Sequence, residues 1–119
     1  MKLIDTSVLI DNLRRGVYEE GAISIITMIE ILRGIPPRKR GKAKQLLEKS
    51  FEVLSINNKV VLKYCELYTS LKQKGQLISD ADLLIAATAI ANDLILVSKD
   101  EDFERLKEQG LKLELRKEQ

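Results

Sequence analysis

Leu77-Ile78-Ser79-Asp80-Ala81-Asp82 leads into the apolar run Leu83-Leu84-Ile85-Ala86-Ala87-Thr88-Ala89-Ile90-Ala91. Asn92-Asp93, Leu94-Ile95-Leu96-Val97 and Ser98-Lys99-Asp100-Glu101-Asp102-Phe103 follow. Residues 83–91 are apolar on nearly every face and mix alanines with leucine and isoleucine, which suits a helix buried inside a domain. Residues 94–97 form a short, uniformly apolar run, as in a central strand of a parallel sheet covered on both faces. A helix joined to a strand by a tight turn runs antiparallel to it, so the start of the helix and the end of the strand share one edge. Asp82 and Asp100 are therefore expected to be neighbours.

Outward from this unit, strands and helices alternate. Lys2-Leu3-Ile4 reads as a strand ending at Asp5. Thr6 or Ser7 can cap a helix with Val8, Leu9, Ile10 and Leu13 inward, closed by Gly16. Residues 22–25 read as a second strand, and Thr27-Met28-Ile29-Glu30 opens a second helix ending near Gly34. Residues 38–50 form a charged amphipathic helix with Ala43, Leu46 and Leu47 inward, and 51–56 a third strand. Asn57-Asn58 begins a helix in which Val61, Tyr64, Cys65, Tyr68 and Leu71 recur at helical spacing until Gly75. Beyond the central unit come a short helix over 102–109 and a last strand over 111–115. The pattern predicts one domain spanning 1–119, an α/β/α sandwich with a central parallel sheet of four to five strands and right-handed crossovers.

Composition narrows the chemistry. The chain has 119 residues, 20 Lys and Arg, 18 Asp and Glu, one cysteine and no histidine. Without histidine, Ser-His or Cys-His catalysis and His-ligated metals are excluded, leaving carboxylates, hydroxyls, lysine and one thiol. A single cysteine cannot form an internal disulfide, which suits a reducing compartment. No charged segment leads into an apolar signal core, and no apolar run approaches the roughly 18 residues of a membrane span. A soluble cytoplasmic protein is expected.

In parallel sheets ligands bind at the carboxyl ends of the strands. Topology alone brings Asp5, Glu30, Asp82 and Asp100 to that edge, with Asp80 and Asp102 nearby. Each acid has an innocent explanation: Thr27 with Glu30 and Ser79 with Asp82 fit capping boxes, and Asp100 or Asp102 can cap the last helix. Together, four carboxylates repel one another unless a cation neutralises them. Oxygen-only ligands suit Mg²⁺ or Mn²⁺, and such sites orient water for attack on phosphates. Setting those four acids aside leaves 14 acids against 20 bases, a modest basic excess that fits a polyanionic substrate. Arg14, Arg15, Arg33, Arg38, Lys39, Arg40, Lys42 and Lys44 are candidates to rim the site. Tyr64 and Tyr68 suit the core or a dimer contact better than base stacking. A receiver domain or a haloacid-dehalogenase-like phosphatase would need acids that Asp5-Thr6-Ser7 and Ser55-Ile56-Asn57 lack, and no glycine-rich phosphate loop occurs.

The segments Leu3-Ile4-Asp5-Thr6-Ser7-Val8, Glu30 with Leu32-Arg33-Gly34, Asp82-Leu83-Leu84-Ile85-Ala86-Ala87-Thr88-Ala89 and Leu96-Val97-Ser98-Lys99-Asp100-Glu101-Asp102-Phe103 resemble a PIN domain, and more narrowly a VapC-type toxin of toxin–antitoxin systems. The resemblance implies a metal-dependent endoribonuclease, usually a homodimer, inhibited by a small VapB-like antitoxin. It implies catalytic acids at Asp5, Glu30, Asp82 and Asp100, of which Asp5, Asp82 and Asp100 would hold Mg²⁺ or Mn²⁺. Ser98 matches the family's hydroxyl near the fourth acid, while Asp80, Asp102 and Thr6 are possible additions. Two alternatives stay open on sequence alone: an RNA-processing PIN nuclease, or a non-catalytic RNA-binding module outside any toxin–antitoxin pair.

Overall fold

The computed structural model describes residues 1–117. The order of elements is β1 (Lys2–Ile4), α1 (Thr6–Arg14), β2 (Ala22–Ser24), α2 (Ile25–Arg33), α3 (Pro37–Ser50), β3 (Glu52–Leu54), α4 (Asn58–Gln73), α5 (Asp80–Ala91), β4 (Ile95–Ser98), a 3₁₀ helix (Glu101–Gln109) and β5 (Lys112–Leu115). The five strands form one all-parallel sheet in the order β3-β2-β1-β4-β5. This agrees with the expected α/β architecture at its upper strand count. No helix among the described residues is long and apolar enough to cross a membrane.

The strand order explains the layers. The chain winds from β1 outward through β2 to β3, then returns to the other side of β1 for β4 and β5. Because each crossover is right-handed, reversing the direction of winding moves the helices to the opposite face. Strand side chains alternate accordingly. Ile4, Ile23 and Val97 face α1, α2 and α3 through Leu9, Met28, Ile31 and Leu47. Leu3, Ala22 and Leu96 face α4, α5 and the 3₁₀ helix through Leu67, Leu71, Leu83, Ala86 and Phe103. α5 is the most deeply buried helix, with Leu83, Ile85, Ala86, Ala87, Thr88 and Ala89 all buried. It runs into β4 through a turn whose Asp93 has φ 54°.

Several local expectations need correction. Asp5, rather than Thr6 or Ser7, caps α1 by accepting from the Thr6 amide. α2 begins two residues before Thr27 with Ser24 as its cap, so Thr27 and Glu30 are not a capping box. Glu30 lies in the second turn, and Thr27 is buried. β3 is shorter than expected, because Phe51 closes α3 and packs into the core instead of starting the strand. Leu13 and Leu46 are exposed, at 53% and 58%, and α1 buries the polar Asn12 in place of Leu13. On α4 the buried stripe is Val60, Leu67 and Leu71, which leaves Val61, Leu62 and Cys65 outside. A pattern that alternated by three and four had two helical faces to choose between, and the neighbouring α5 selected the other one.

Candidate functional site

The reversal of winding places β1 and β4 side by side with helices leaving in opposite directions, which opens a crevice at their carboxyl ends. Asp5 follows β1, and its amide continues the ladder by donating to Val97 O (2.9 Å). Its buried carboxylate accepts from Thr6 N at Oδ1 (2.8 Å) and from the hydroxyls of Ser98 (2.7 Å) and Ser7 (3.1 Å) at Oδ2. A carboxylate has about four lone-pair directions, so about one is left for another partner. Burial pushes the Asp5 carboxyl above its ordinary value; the hydrogen bonds from Ser98, Thr6 and Ser7 oppose this, and the charge of Glu30 adds to it.

Ser98 ends β4 with its hydroxyl donated to Asp5, and it accepts from the Asp100 amide at 3.0 Å. Asp100 in turn caps the 3₁₀ helix, accepting from Asp102 N at 2.9 Å. On the other flank, Thr6 Oγ1 donates to Glu30 Oε1 (2.8 Å) and stands 2.9 Å from the buried Thr27 Oγ1. Arg33 approaches the second Glu30 oxygen at 3.7 Å. Thr6 therefore joins the first strand's acid to the acid of α2. The buried Thr27 was not identified as a site neighbour from the sequence, since its role emerges only from the earlier start of α2.

Asp82 completes the group from α5. Ser79 caps this helix by accepting from the Asp82 amide. The Asp82 carboxyl is pushed up to about 6: burial is the main cause, followed by the charge of Asp5, with Asp100 and Glu30 adding and a hydrogen bond from Ser79 opposing. One carboxylate thus feels the other three. Asp80 takes a different path, accepting from Tyr64 OH at 2.6 Å on the outer side, and Tyr64 is pushed up to about 12 chiefly by that bond. Tyr64 stacks on Tyr68 with ring centroids 6.2 Å apart. Asp102 is exposed and pairs with Arg105 at 3.4 Å. The structure therefore brings Asp5, Glu30, Asp82, Asp100, Ser98 and Thr6 together, and turns Asp80 and Asp102 away to local partners.

Among the described residues, no three acidic or thiol side chains are arranged to hold an ion by themselves. A hard cation such as Mg²⁺ is commonly bound through only one or two carboxylates, with water completing its shell. The donor set is oxygen-only, and the upward displacement of both Asp5 and Asp82, caused first by burial and then by neighbouring carboxylates, marks carboxyl groups that a cation would help to keep ionised. The residues fit a divalent ion of this kind. The expected basic rim is largely elsewhere: Arg40 donates from Nε to Leu32 O and Ile35 O, tying down the end of α2, and Lys44 pairs with Glu48.

The PIN-domain family matches residues 2–109, a span that contains every one of these side chains. The chain belongs to the PIN-domain family. This PIN domain is 44% identical over 115 residues to Ribonuclease VapC1 of Methanocaldococcus jannaschii, covering 93% of the chain and 85% of the relative. Over 90 residues it is 34% identical to Ribonuclease VapC2 of Rickettsia felis, covering 71% of the chain and 67% of that relative. Among solved structures it resembles VapBC2 from Rickettsia felis bound to a DNA fragment from its promoter, with TM-score 0.79, 26% identity and coverage of 96% and 97% of the two chains. The fold is shared with VapBC-1 from nontypeable Haemophilus influenzae, with TM-score 0.81, 23% identity and 96% of each chain covered.

Proposed function

We propose that this PIN domain is a VapC-type endoribonuclease whose acid pocket uses Mg²⁺ or Mn²⁺ to hydrolyse RNA phosphodiesters. The observation that carries the reading is the convergence of Asp5, Glu30, Asp82 and Asp100 on one crevice, with Asp82 pushed up to about 6 in part by the other carboxylates. The 44% identity to Ribonuclease VapC1 supports it independently. Asp5, Asp82 and Asp100 would hold the ion, one or two of them directly and the rest through its waters, and the ion when bound supplies charge neutralisation at the phosphate and an activated water. Ser98 and Ser7 fix the Asp5 carboxylate, and Thr6 fixes Glu30. Anchored carboxylates need little rearrangement when the phosphate arrives. Attack by water needs no 2′-hydroxyl and leaves a 5′-phosphate and a 3′-hydroxyl.

The chain acts as one domain over 1–119 in this reading, supported by the sharing of one sheet by all five strands. Its partner is a VapB-like antitoxin, a role supported by the likeness to the Rickettsia felis VapBC2 complex. An apolar groove of about 350 Å³, lined by Leu13, Val17, Tyr18, Ile35 and Leu46 among others, offers the kind of surface that marks protein contacts. The exposed Val61 and Leu62 support self-association as a homodimer. An RNA substrate and a lone exposed thiol, Cys65, suit the cytoplasm.

The non-catalytic alternative has one observation in its favour: Asp5 and Asp100 do cap helices. It does not explain why Asp82, whose helix is capped by Ser79, sits half-buried against Asp5, Asp100 and Glu30. Cleavage of a structured RNA decides the matter. Asp5→Asn and Asp100→Asn should abolish cutting, as should EDTA, with Mn²⁺ restoring it. Undiminished cutting by both variants, or in EDTA, would overturn the proposal.

A further inference from the structure

Next to the acid pocket lies a concavity of opposite character. It has a volume of about 740 Å³, and its lining includes Asp11, Asn12, Arg15, Lys99, Arg116 and Lys117. The two sites share the segment Ser98-Lys99-Asp100. Ser98 is committed to Asp5, whereas Lys99 approaches Asp11 of α1 at 3.8 Å. One short segment thus supplies both the wall of the carboxylate pocket and a cation of the neighbouring cleft.

The cleft exists because the helical layer on this face stops at β4. Over β5 its place is taken by an ion network: Arg116 donates to both oxygens of Glu19 (2.7 and 2.6 Å) and to Glu114 (2.9 Å), and Lys2 reaches Glu114 at 3.2 Å. The Arg116 amide donates to Ser98 O at 2.7 Å, which holds this wall against the acid pocket. Among the described residues, four cations and one carboxylate line the cleft. Asp11 meets Arg15 only at 3.5 Å, and the Arg15 side chain is 64% exposed. An exposed pair of this kind is weak, and a phosphate oxygen forms a shorter, charge-assisted bond to the same guanidinium.

An acid pocket by itself repels a polyanion, so a strand whose scissile phosphate enters it needs cations close by for its flanking phosphates. We propose that this cleft is a backbone subsite in which Arg15 and Lys99 bind a phosphate adjacent to the scissile one. The inference rests on the ribonuclease reading, with RNA as the ligand. An acidic segment of the antitoxin is the competing occupant.

The test compares the parent with Arg15→Ala, Lys99→Ala and the double variant, using Lys44→Ala on α3 as control. Cleavage kinetics are measured on one RNA, and its Kd is measured in an Asp5→Asn background at several salt concentrations. The double variant should raise KM and Kd about tenfold with kcat within about twofold, and flatten the salt dependence of log Kd by about one to two. The control should match the parent, and the single Arg15→Ala should show the same direction if the double variant folds poorly. Unchanged KM, Kd and salt slope overturn the subsite. So does a double variant that loses antitoxin affinity while its RNA kinetics stay intact, which would give the cleft to the antitoxin. If the parent cuts no RNA, the ribonuclease reading fails, and the Kd comparison still decides whether the cleft binds a strand.

Discussion

Replacing Asp82 with Asn should stabilise the cation-free protein while weakening its response to metal. The carboxyl moves from 3.8 to about 6 on folding, chiefly through burial and then through Asp5, with Asp100 and Glu30 adding. At about 1.4 kcal/mol per pH unit, that gap represents roughly 3 kcal/mol held against the ionised native state. Asp82 is only partly buried, and solvent screening leaves about half of it, or roughly 1.5 kcal/mol. A negative charge in the first turn of α5 contributes about 0.5 kcal/mol in the opposite direction. The net expectation is a gain of about 1 kcal/mol. The sign follows from linkage: a carboxyl with a raised folded pKa binds its proton more tightly in the native state, so its contribution to stability falls as pH rises from about 4 to about 6. Urea titrations in EDTA should therefore show Asp82→Asn more stable than the parent near pH 7.5 and level with it near pH 4. Mg²⁺ should narrow or reverse the difference, because the parent gains stability by mass action and the variant is one ligand short. A variant less stable than the parent near pH 7.5 without metal would refute the account of crowded charge. Equal stabilisation of both proteins by Mg²⁺ would refute the place of Asp82 at the ion.

Thr6→Val removes the donor to Glu30 while keeping the shape; kcat should fall about tenfold or more, with Thr6→Ser recovering most of it. Gly21→Ala should destabilise by about 1–3 kcal/mol in a urea titration, because its Cβ would meet Lys2 O at 2.9 Å and Ile4 Cδ1 at 3.2 Å. Sedimentation at micromolar concentration should give a dimer for the parent and a monomer for a Val61→Asp, Leu62→Glu variant; a monomeric parent would refute the role assigned to that exposed face. An antitoxin that inserts an arginine among the carboxylates should bind less tightly as Mg²⁺ rises and less tightly to an Asp5→Asn, Asp100→Asn variant. Affinity indifferent to both would mean that it works by covering the RNA surface.

The parallel sheet and the acid edge were legible because each rests on a rule of chain geometry, whereas the order of the strands was not. The apolar run of α5 followed at once by β4 fixed two antiparallel elements, and right-handed crossovers brought Asp5, Glu30, Asp82 and Asp100 to one side. Asp82 could be preferred over Asp80 only by its offset to Leu84-Ile85-Ala86-Ala87, and the Tyr64–Asp80 bond gives the physical reason for the difference. What escaped was decided by tertiary partners. The cap of α2 fell to Ser24 because its hydroxyl, at the end of a buried strand, reaches the Ile26 amide. The inner face of α4 was set by α5, and α1 turned Asn12 inward to donate to Glu19 at 3.3 Å. The Arg116–Glu19 pair joins residues 97 positions apart and leaves no local pattern to read.

The hydrogen bond from Ser98 to Asp5 also spans most of the chain, 93 positions. β1 is the centre of the sheet and leaves the ribosome before β2 and β3, but its second neighbour, β4, emerges only after both of them and helices α1 through α5. A protein made from its amino end can form the β1-β2-β3 half early, with α1 already capped by Asp5. The carboxylate crevice cannot close until Ser98 and Asp100 have emerged. Biosynthesis therefore delivers the scaffold before the crevice is complete, so a chain truncated before β4 carries Asp5, Glu30 and Asp82 but lacks Ser98 and Asp100, and has no closed acid pocket.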